Sequence, residues 1–134
     1  MKKIISLFQR NNSSDRLARD EVVPGADWVI DGEGVATRKF DGTCCMVRDG
    51  RLFKRYDAKK GKTPPAGFEP AQDPDPITGH WPGWLPVTNA PEERYHCEAV
   101  APDSPVNCGL LDGTYELCGP KINGNPEGYK NHML

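Results

Sequence analysis

The sequence predicts an α+β domain built mainly from antiparallel sheet, with hairpins and only a few short helices. Of its 134 residues, 14 are glycine and 13 are proline, and only 37% are hydrophobic. This composition favours short strands and ordered loops over a helical bundle. The clearest hairpin signal is Asp49-Gly50 between two apolar-containing runs, because a type I′ turn requires positive φ at both central residues.

The first quarter of the chain alternates short apolar runs with turn signals. The first predicted strand is KIISLFQ, residues 3–9. The polar stretch NNSSD after it predicts a turn, or a cap for a short helical piece at 15–20. Turns at Pro24-Gly25 and Asp31-Gly32 flank a further short strand predicted over 27–30.

A three-stranded meander is predicted next. Its strands cover 34–40, 43–48 and 51–56, with turns at Asp41-Gly42 and Asp49-Gly50 between them. Each strand is short and bounded by turn residues, as expected for an antiparallel sheet.

The second half begins with a long stretch, 57–90, rich in Pro, Gly and Asp. Such a stretch without regular structure of its own is usually functional or disordered, and its tryptophans Trp81 and Trp84 favour packing against the core over disorder. NAPEERYHCEAV then predicts a helix with Asn89 as N-cap. A strand over 95–100 is the competing interpretation.

Two further elements complete the prediction. GTYELCG, residues 113–119, is a strand bounded by glycines, and Asn123-Gly124 in the segment after it is a second strong turn signal.

Charge and cysteine content exclude several classes of protein. The formal net charge is −2, so the chain is not a nucleic-acid-binding polycation, although residues 48–62 form a basic strip suited to phosphates. The five cysteines have no metal-ligand spacing with each other or with the histidines, so we expect reduced, mostly structural thiols and no metal site. With neither an apolar leader nor a stretch of membrane-spanning length, a cytoplasmic location is expected.

The segment RKFDGT carries the candidate chemistry. A lysine amine can attack the α-phosphate of a nucleoside triphosphate, displace pyrophosphate and become a phosphoramidate. The amine must lose its proton first, and neighbouring cations such as Arg38, Lys54 and Arg55 favour that loss. Taken alone, Lys39 beside an Asp41-Gly42 turn is more typical of a plain surface lysine than of a nucleophile.

A wider set of segments resembles a known family. EGVATRKFDGTCC, RLFKRYDAKKGKTPPAGFEP, DPITGHWPGWLPV and GTYELCGPKINGNPEG together resemble the 5′-to-3′ RNA ligases of the covalent lysyl-nucleotidyltransferase superfamily. KFDGT is similar to the first motif of that family, and TYELCG is similar to the third. The resemblance runs along nearly the whole chain.

The resemblance implies an activity and a set of partners. It implies that ATP, with Mg²⁺ or alternatively Mn²⁺, adenylates a lysine, and that the AMP passes to an RNA 5′-phosphate. A 3′-hydroxyl end of RNA then attacks and seals the strand. Mg²⁺ fits this chemistry because phosphoryl transfer needs charge neutralised on the phosphates.

The resemblance also implies roles for individual residues. Lys39 is the nucleophile. The implied nucleotide-binding residues flank the lysine, follow the hairpin or lie in the third motif; they are Thr37, Arg38, Asp41, Gly42, Lys54, Arg55 and Glu116. Lys54 and Arg55 are alternatives for one contact, since neighbouring strand residues face opposite sides of a sheet.

The family's two later motifs, a glutamate for the metal and lysines for the α-phosphate, have no confident counterpart here. Glu127 and Lys130 follow the third motif too closely. We therefore expect residues 1–134 to be the N-terminal portion of an adenylation domain that forms little lysyl-AMP by itself. Two alternatives remain: a non-catalytic nucleotide- or RNA-binding module with the same fold, and a capping-type guanylyltransferase that uses GTP.

Overall fold

The computed structural model describes residues 5–76, 78–100 and 104–134. It forms two compact units, Met1–Arg38 and Lys39–Leu134. The regular secondary structure of the described residues is mostly antiparallel sheet with a few short helices, which confirms the α+β prediction.

The first unit consists of a small hairpin and one helical turn. Strands β1 (Phe8–Arg10) and β2 (Ala18–Val22) pair antiparallel, and a turn follows at Pro24-Gly25 as predicted. Helix α1 covers Asp27–Ile30.

Three expectations for the first unit are wrong. Of the two alternatives for NNSSD, the turn is confirmed at 12–15. The helical piece at 15–20 is wrong, because Arg16 has a φ of +61° and cannot continue a helix, and β2 begins at Ala18. The strand predicted over 27–30 is α1, which closes its own hydrogen bonds, for example from the Asp31 N–H to the Asp27 carbonyl at 3.0 Å. The strand predicted over 3–9 begins only at Phe8, and its residues 3 and 4 lie outside the described part of the chain.

The second unit is a five-stranded antiparallel sheet in the order β5-β6-β4-β3-β7. Its strands are β3 (Thr43–Arg48), β4 (Arg51–Ala58), β5 (Glu69–Pro70), β6 (Trp81–Pro86) and β7 (Gly113–Leu117). The predicted strands at 43–48, 51–56 and 113–119 are confirmed with small changes of boundary. The hairpin turn between β3 and β4 has φ values of +51° at Asp49 and +69° at Gly50, as a type I′ turn requires.

Strand β6 corrects the prediction that 57–90 lacks regular structure. Its sequence WPGWLP contains two prolines, which normally exclude a strand from a sheet interior. The ladder accommodates them because its neighbour β5 is only two residues long, and because the Pro82 carbonyl still accepts a hydrogen bond from Ala71 at 3.0 Å. At Gly83 a Cβ would come 2.4 Å from the Glu69 carbonyl, so only glycine lets β5 approach.

The hydrophobic core lies on one face of this sheet. It joins buried residues of three strands to residues of the connecting segments, and its members are Cys45, Val47, Leu52, Val87, Val100, Cys108 and Leu117. Helix α2 (Arg94–Ala99) contributes Tyr95, Cys97 and Ala99 against this cluster. The predicted packing role of the thiols is confirmed for Cys45, Cys108 and Cys118, which are buried.

The predicted helix after residue 89 is confirmed, as a short 3₁₀ turn over Pro91–Glu93 that leads into α2. The competing strand over 95–100 is therefore wrong. The N-cap is Ala90, one residue later than the predicted Asn89, and no side-chain hydrogen bond caps the turn. Glu93 accepts hydrogen bonds from both the backbone N–H and the hydroxyl of Thr88, two residues before the N-cap.

Glu93 is the charged residue that connects this helical segment to the sheet. It is only 6% exposed and forms an ion pair with Lys54 of β4. Burial raises the pKa of the Glu93 carboxyl, but its contacts with Lys54 and Thr88 outweigh burial and hold the pKa below its ordinary value. Burial, with the charge of Lys54, lowers the pKa of the neighbouring His96.

We predict that acid destabilises the fold in two steps. Below pH 6.5, the ordinary pKa of histidine, the unfolded chain takes up a proton that folded His96 resists. Below pH 4.5, the ordinary pKa of glutamate, the unfolded chain takes up a second proton that folded Glu93 resists. Stability therefore falls with pH in both ranges, as urea unfolding at a series of pH values can measure.

Substitution separates the two steps. At neutral pH, Glu93→Gln should cost about 1–3 kcal/mol, because the Lys54 ammonium loses its partner, but it should abolish the contribution of residue 93 to the loss below pH 4.5. The matched change Glu92→Gln, at an exposed neighbour, should leave the wild-type profile intact. Equal profiles for wild type and Glu93→Gln would contradict the assignment.

Candidate functional site

The segment that carries Lys39 is not a strand, contrary to the prediction for 34–40. Residues 35–41 have no regular secondary structure, and the chain bends at Gly42 before it enters β3. The backbone here is held by side chains instead of by a neighbouring strand. The Asp41 N–H donates to Glu127 Oε1 at 3.0 Å, and the Gly42 N–H donates to Glu116 Oε1 at 3.2 Å. The predicted hairpin turn at Asp41-Gly42 is thus an anchored bend.

Gly42 lies in direct contact with β7. A Cβ at this position would come 2.2 Å from the Leu117 carbonyl oxygen and 2.9 Å from Cys118 Sγ. Both distances are shorter than real Cβ contacts, and the one to the Leu117 carbonyl is far shorter, so glycine is required here for close approach of two backbones. The glycine of the Lys-x-Asp-Gly pattern therefore sets how close the lysine segment lies to Glu116.

Cys44, Glu116 and Arg55 lie on one face of the sheet. Cys44 of β3 is directly opposite Glu116 of β7 in the strand register. Burial and the Glu116 charge raise the pKa of the Cys44 thiol, whereas the charges of Arg55 and Lys39 act in the opposite direction. The charges of Lys39, Arg55 and Glu116 thus all influence the Cys44 thiol.

The Arg55 guanidinium is held in place on this face. It lies 5.4 Å from the ring centroid of Trp84, the residue opposite it on β6, and its Nε is 3.4 Å from Asp57 Oδ1. A stacked and ion-paired arginine has few accessible rotamers, so its charge is directed at a fixed part of the face. Trp84 is buried and Trp81 donates from its indole nitrogen to the Gln72 carbonyl at 2.9 Å, which confirms that both tryptophans pack in the fold.

Lys54, the alternative to Arg55, lies on the other face of the sheet. Its partner in the β3 ladder is the core residue Cys45, and its ammonium pairs with buried Glu93. The structure therefore groups Arg55, and not Lys54, with Cys44 and Glu116. Thr37 and Arg38 are the last residues of the first unit, and both are exposed there.

Two residues of this arrangement were not predicted from the sequence. Glu127 holds the Asp41 N–H, and the Asn123 amide donates to Asp41 Oδ1 at 3.1 Å and to the Gly42 carbonyl at 2.6 Å. Asn123-Gly124 was interpreted only as a turn. The turn is confirmed, with φ values of +48° and +76°, but nothing in its pattern indicates a partner more than eighty residues earlier.

No protein-family model matches this sequence, and a search of curated proteins finds no match. The resemblance to RNA ligases thus depends on the quoted motifs alone. In the described part of the chain, no helix has the length and apolar character that crossing a membrane requires.

Glu116 is the carboxylate of this arrangement that could contribute to a Mg²⁺ site. Among the described residues, no group of three or more His, Cys, Asp or Glu side chains could hold a metal ion. Glu116 uses its Oε1 for the Gly42 N–H, and its other carboxylate oxygen accepts no hydrogen bond from the part of the chain that the structure describes. Mg²⁺ is commonly bound by substrate phosphates, waters and one or two carboxylates, and this donor set matches that pattern.

We predict that Gly42→Ala disrupts the junction between the lysine segment and β7. The Cβ would overlap the Leu117 carbonyl, and relief of such overpacking typically costs about 1–3 kcal/mol. Urea unfolding followed by tryptophan fluorescence measures the loss. Gly113→Ala is the matched control, since a Cβ there would meet only an ordinary contact at 3.6 Å, and its cost should stay below about 0.5 kcal/mol. Equal effects of the two changes would contradict the close-approach argument.

Proposed function

We propose that this chain carries the nucleophile-bearing part of an ATP-dependent RNA ligase. The observation that supports the proposal most is the anchoring of the Lys39-x-Asp41-Gly42 segment to Glu116, a residue of the other quoted motif, although 74 residues separate Gly42 from Glu116. A lysine on an ordinary surface turn needs no such attachment. The proposed location is the cytoplasm, and the proposed partner is RNA with 5′-phosphate and 3′-hydroxyl ends.

The first step forms a bond between Lys39 and AMP. The neutral Lys39 Nζ attacks the α-phosphorus of ATP, the new N–P bond forms, and the bond from that phosphorus to the pyrophosphate oxygen breaks. The proton lost from the amine passes to solvent, and pyrophosphate leaves with the electron pair of the broken bond. An RNA 5′-phosphate oxygen then displaces Lys39 from AMP, and a 3′-hydroxyl displaces AMP to form the phosphodiester.

Arg55 and Glu116 have complementary roles in this proposal. The positive charge of Arg55 attracts phosphate oxygens. Glu116 holds the Gly42 N–H with one oxygen, and its second oxygen is free to accept a hydrogen bond from the ribose or from a metal-bound water. Lys54 has no part in this proposal, because it is paired with Glu93.

ATP is the proposed nucleotide and Mg²⁺ the proposed metal, with Mn²⁺ as an alternative. When bound, the metal supplies charge neutralisation on the phosphates. The residues that would hold it are the free oxygen of Glu116 together with the nucleotide's own phosphates.

We predict Lys39-dependent covalent labelling by ATP that is radioactive at the α-phosphate. The label should be acid-labile and sensitive to hydroxylamine, as a phosphoramidate is, and it should disappear in Lys39→Ala. The labelled fraction should be small, because the later motifs of the family are not recognised among these residues. Lys130→Ala, at an exposed lysine, is the control and should label like wild type.

Other outcomes of the same experiment distinguish the alternatives. Preference for GTP over ATP would favour a capping-type guanylyltransferase. Saturable ATP binding without any covalent product would favour a non-catalytic nucleotide-binding module. Labelling that persists in Lys39→Ala would contradict the proposed nucleophile.

A further inference from the structure

The loop after β7 has an unusual backbone. Asn123, Gly124 and Asn125 are consecutive residues with φ values of +48°, +76° and +58°. A left-handed conformation costs an L-residue roughly 1–2 kcal/mol, although asparagine tolerates it better than most residues. Consecutive left-handed residues persist only where surrounding contacts hold them, and they often occur at functional sites.

The contacts of this loop direct two of its side chains to the lysine segment. The Asn125 side chain closes the loop internally, through hydrogen bonds of 3.0 and 3.1 Å with the backbone of Tyr129. The left-handed backbone at Asn123 turns its amide towards the Asp41 carboxylate and the Gly42 carbonyl, at 3.1 and 2.6 Å. Glu127 of the same loop accepts from the Asp41 N–H.

The chemistry of these contacts is specific for an amide at residue 123. Both groups that face Asn123 are acceptors, so the side chain must donate two hydrogen bonds from one nitrogen. The amide does so without carrying a charge. Aspartate has nearly the same shape but no donor when ionised, and it would place a second carboxylate beside Asp41.

We propose that Asn123 is a positioning residue for Lys39, which deepens the proposed function and depends on it. Asn123 holds the Asp41 carboxylate and the Gly42 carbonyl, while Glu127 and Glu116 accept from the Asp41 and Gly42 N–H groups. Lys39 lies two residues before Asp41, so its Cα is limited to about 7 Å from that fixed point. Because a misplacement of about 1 Å can cost a hundredfold in rate, this attachment affects the speed of attack more than the binding of ATP.

The kinetic test compares Asn123→Asp with Asn131→Asp. Asn131 is exposed and undergoes the same change of charge, so it is the matched control. The rate of AMP incorporation is measured against ATP concentration with the full 134-residue chain. In Asn123→Asp we expect the saturating rate to fall about tenfold or more while the half-saturating ATP concentration stays unchanged, and in Asn131→Asp we expect neither to change. An unchanged saturating rate, or a loss confined to ATP affinity, would overturn the proposal.

A second measurement does not depend on catalysis. Hydrogen exchange at the Asp41 and Gly42 amides should be about tenfold faster in Asn123→Asp, as expected when two ordinary hydrogen bonds are lost. If wild type forms no Lys39-linked AMP, the proposed function fails and the catalytic role of Asn123 fails with it, but faster exchange would still support the attachment. Unchanged exchange together with unchanged labelling would overturn the Asn123 proposal and leave the proposed function in place.

Discussion

The attachment of the Asp41-Gly42 backbone to the end of β7 is the constraint on which the rest of the site depends. Two adjacent N–H groups donate to two different carboxylates, those of Glu127 and Glu116. Hydrogen bonds to charged acceptors are stronger than those between neutral groups, and these two replace the ladder that a strand would have formed. Gly42 permits the approach because any side chain would overlap the Leu117 carbonyl. The segment before it, including Lys39, is therefore tied to the sheet at one fixed point.

The hydrophobic core cluster and the residues of the candidate site lie on opposite faces of the sheet. One face carries the hydrophobic core and the buried ion pair between Lys54 and Glu93. The opposite face carries Cys44, Arg55 and Glu116, and the charges of Arg55 and Glu116 act on the Cys44 thiol. Because adjacent residues of a strand point to opposite faces, Lys54 and Arg55 have different environments despite being neighbours. One strand can thus serve both the fold and the proposed nucleotide site.

The sequence predicts the parts of the fold that are governed by local chemistry. The strands around Asp49-Gly50, the strand at 113–119 and the helix after residue 89 follow from turn residues and apolar runs. The predicted secondary structure is wrong where contacts with residues distant in sequence determine the local conformation. Strand β6 forms in spite of its prolines because its neighbour β5 pairs with it at only two residues. Residues 34–40 do not form a strand, because side chains of β7 and of the loop after it hold the bend at Gly42.

In the candidate site, too, residues in local motifs could be predicted from the sequence, whereas residues that act through distant contacts could not. Lys39, Arg55 and Glu116 were identified from motif resemblance, whereas Asn123 and Glu127 were not, because their roles depend on contacts across more than eighty residues. The face on which a strand residue lies, which separates Arg55 from Lys54, became clear only with the ladder register and the Glu93 ion pair.

The most direct test of the central claim is to locate the attached nucleotide. After incubation with ATP and a divalent metal, the chain is digested under non-acidic conditions and its peptides are examined by mass spectrometry. We expect one modified peptide, with AMP on Lys39. AMP on Lys59, Lys60 or Lys62, or no AMP on any peptide, would contradict the claim that Lys39 is a covalent nucleophile.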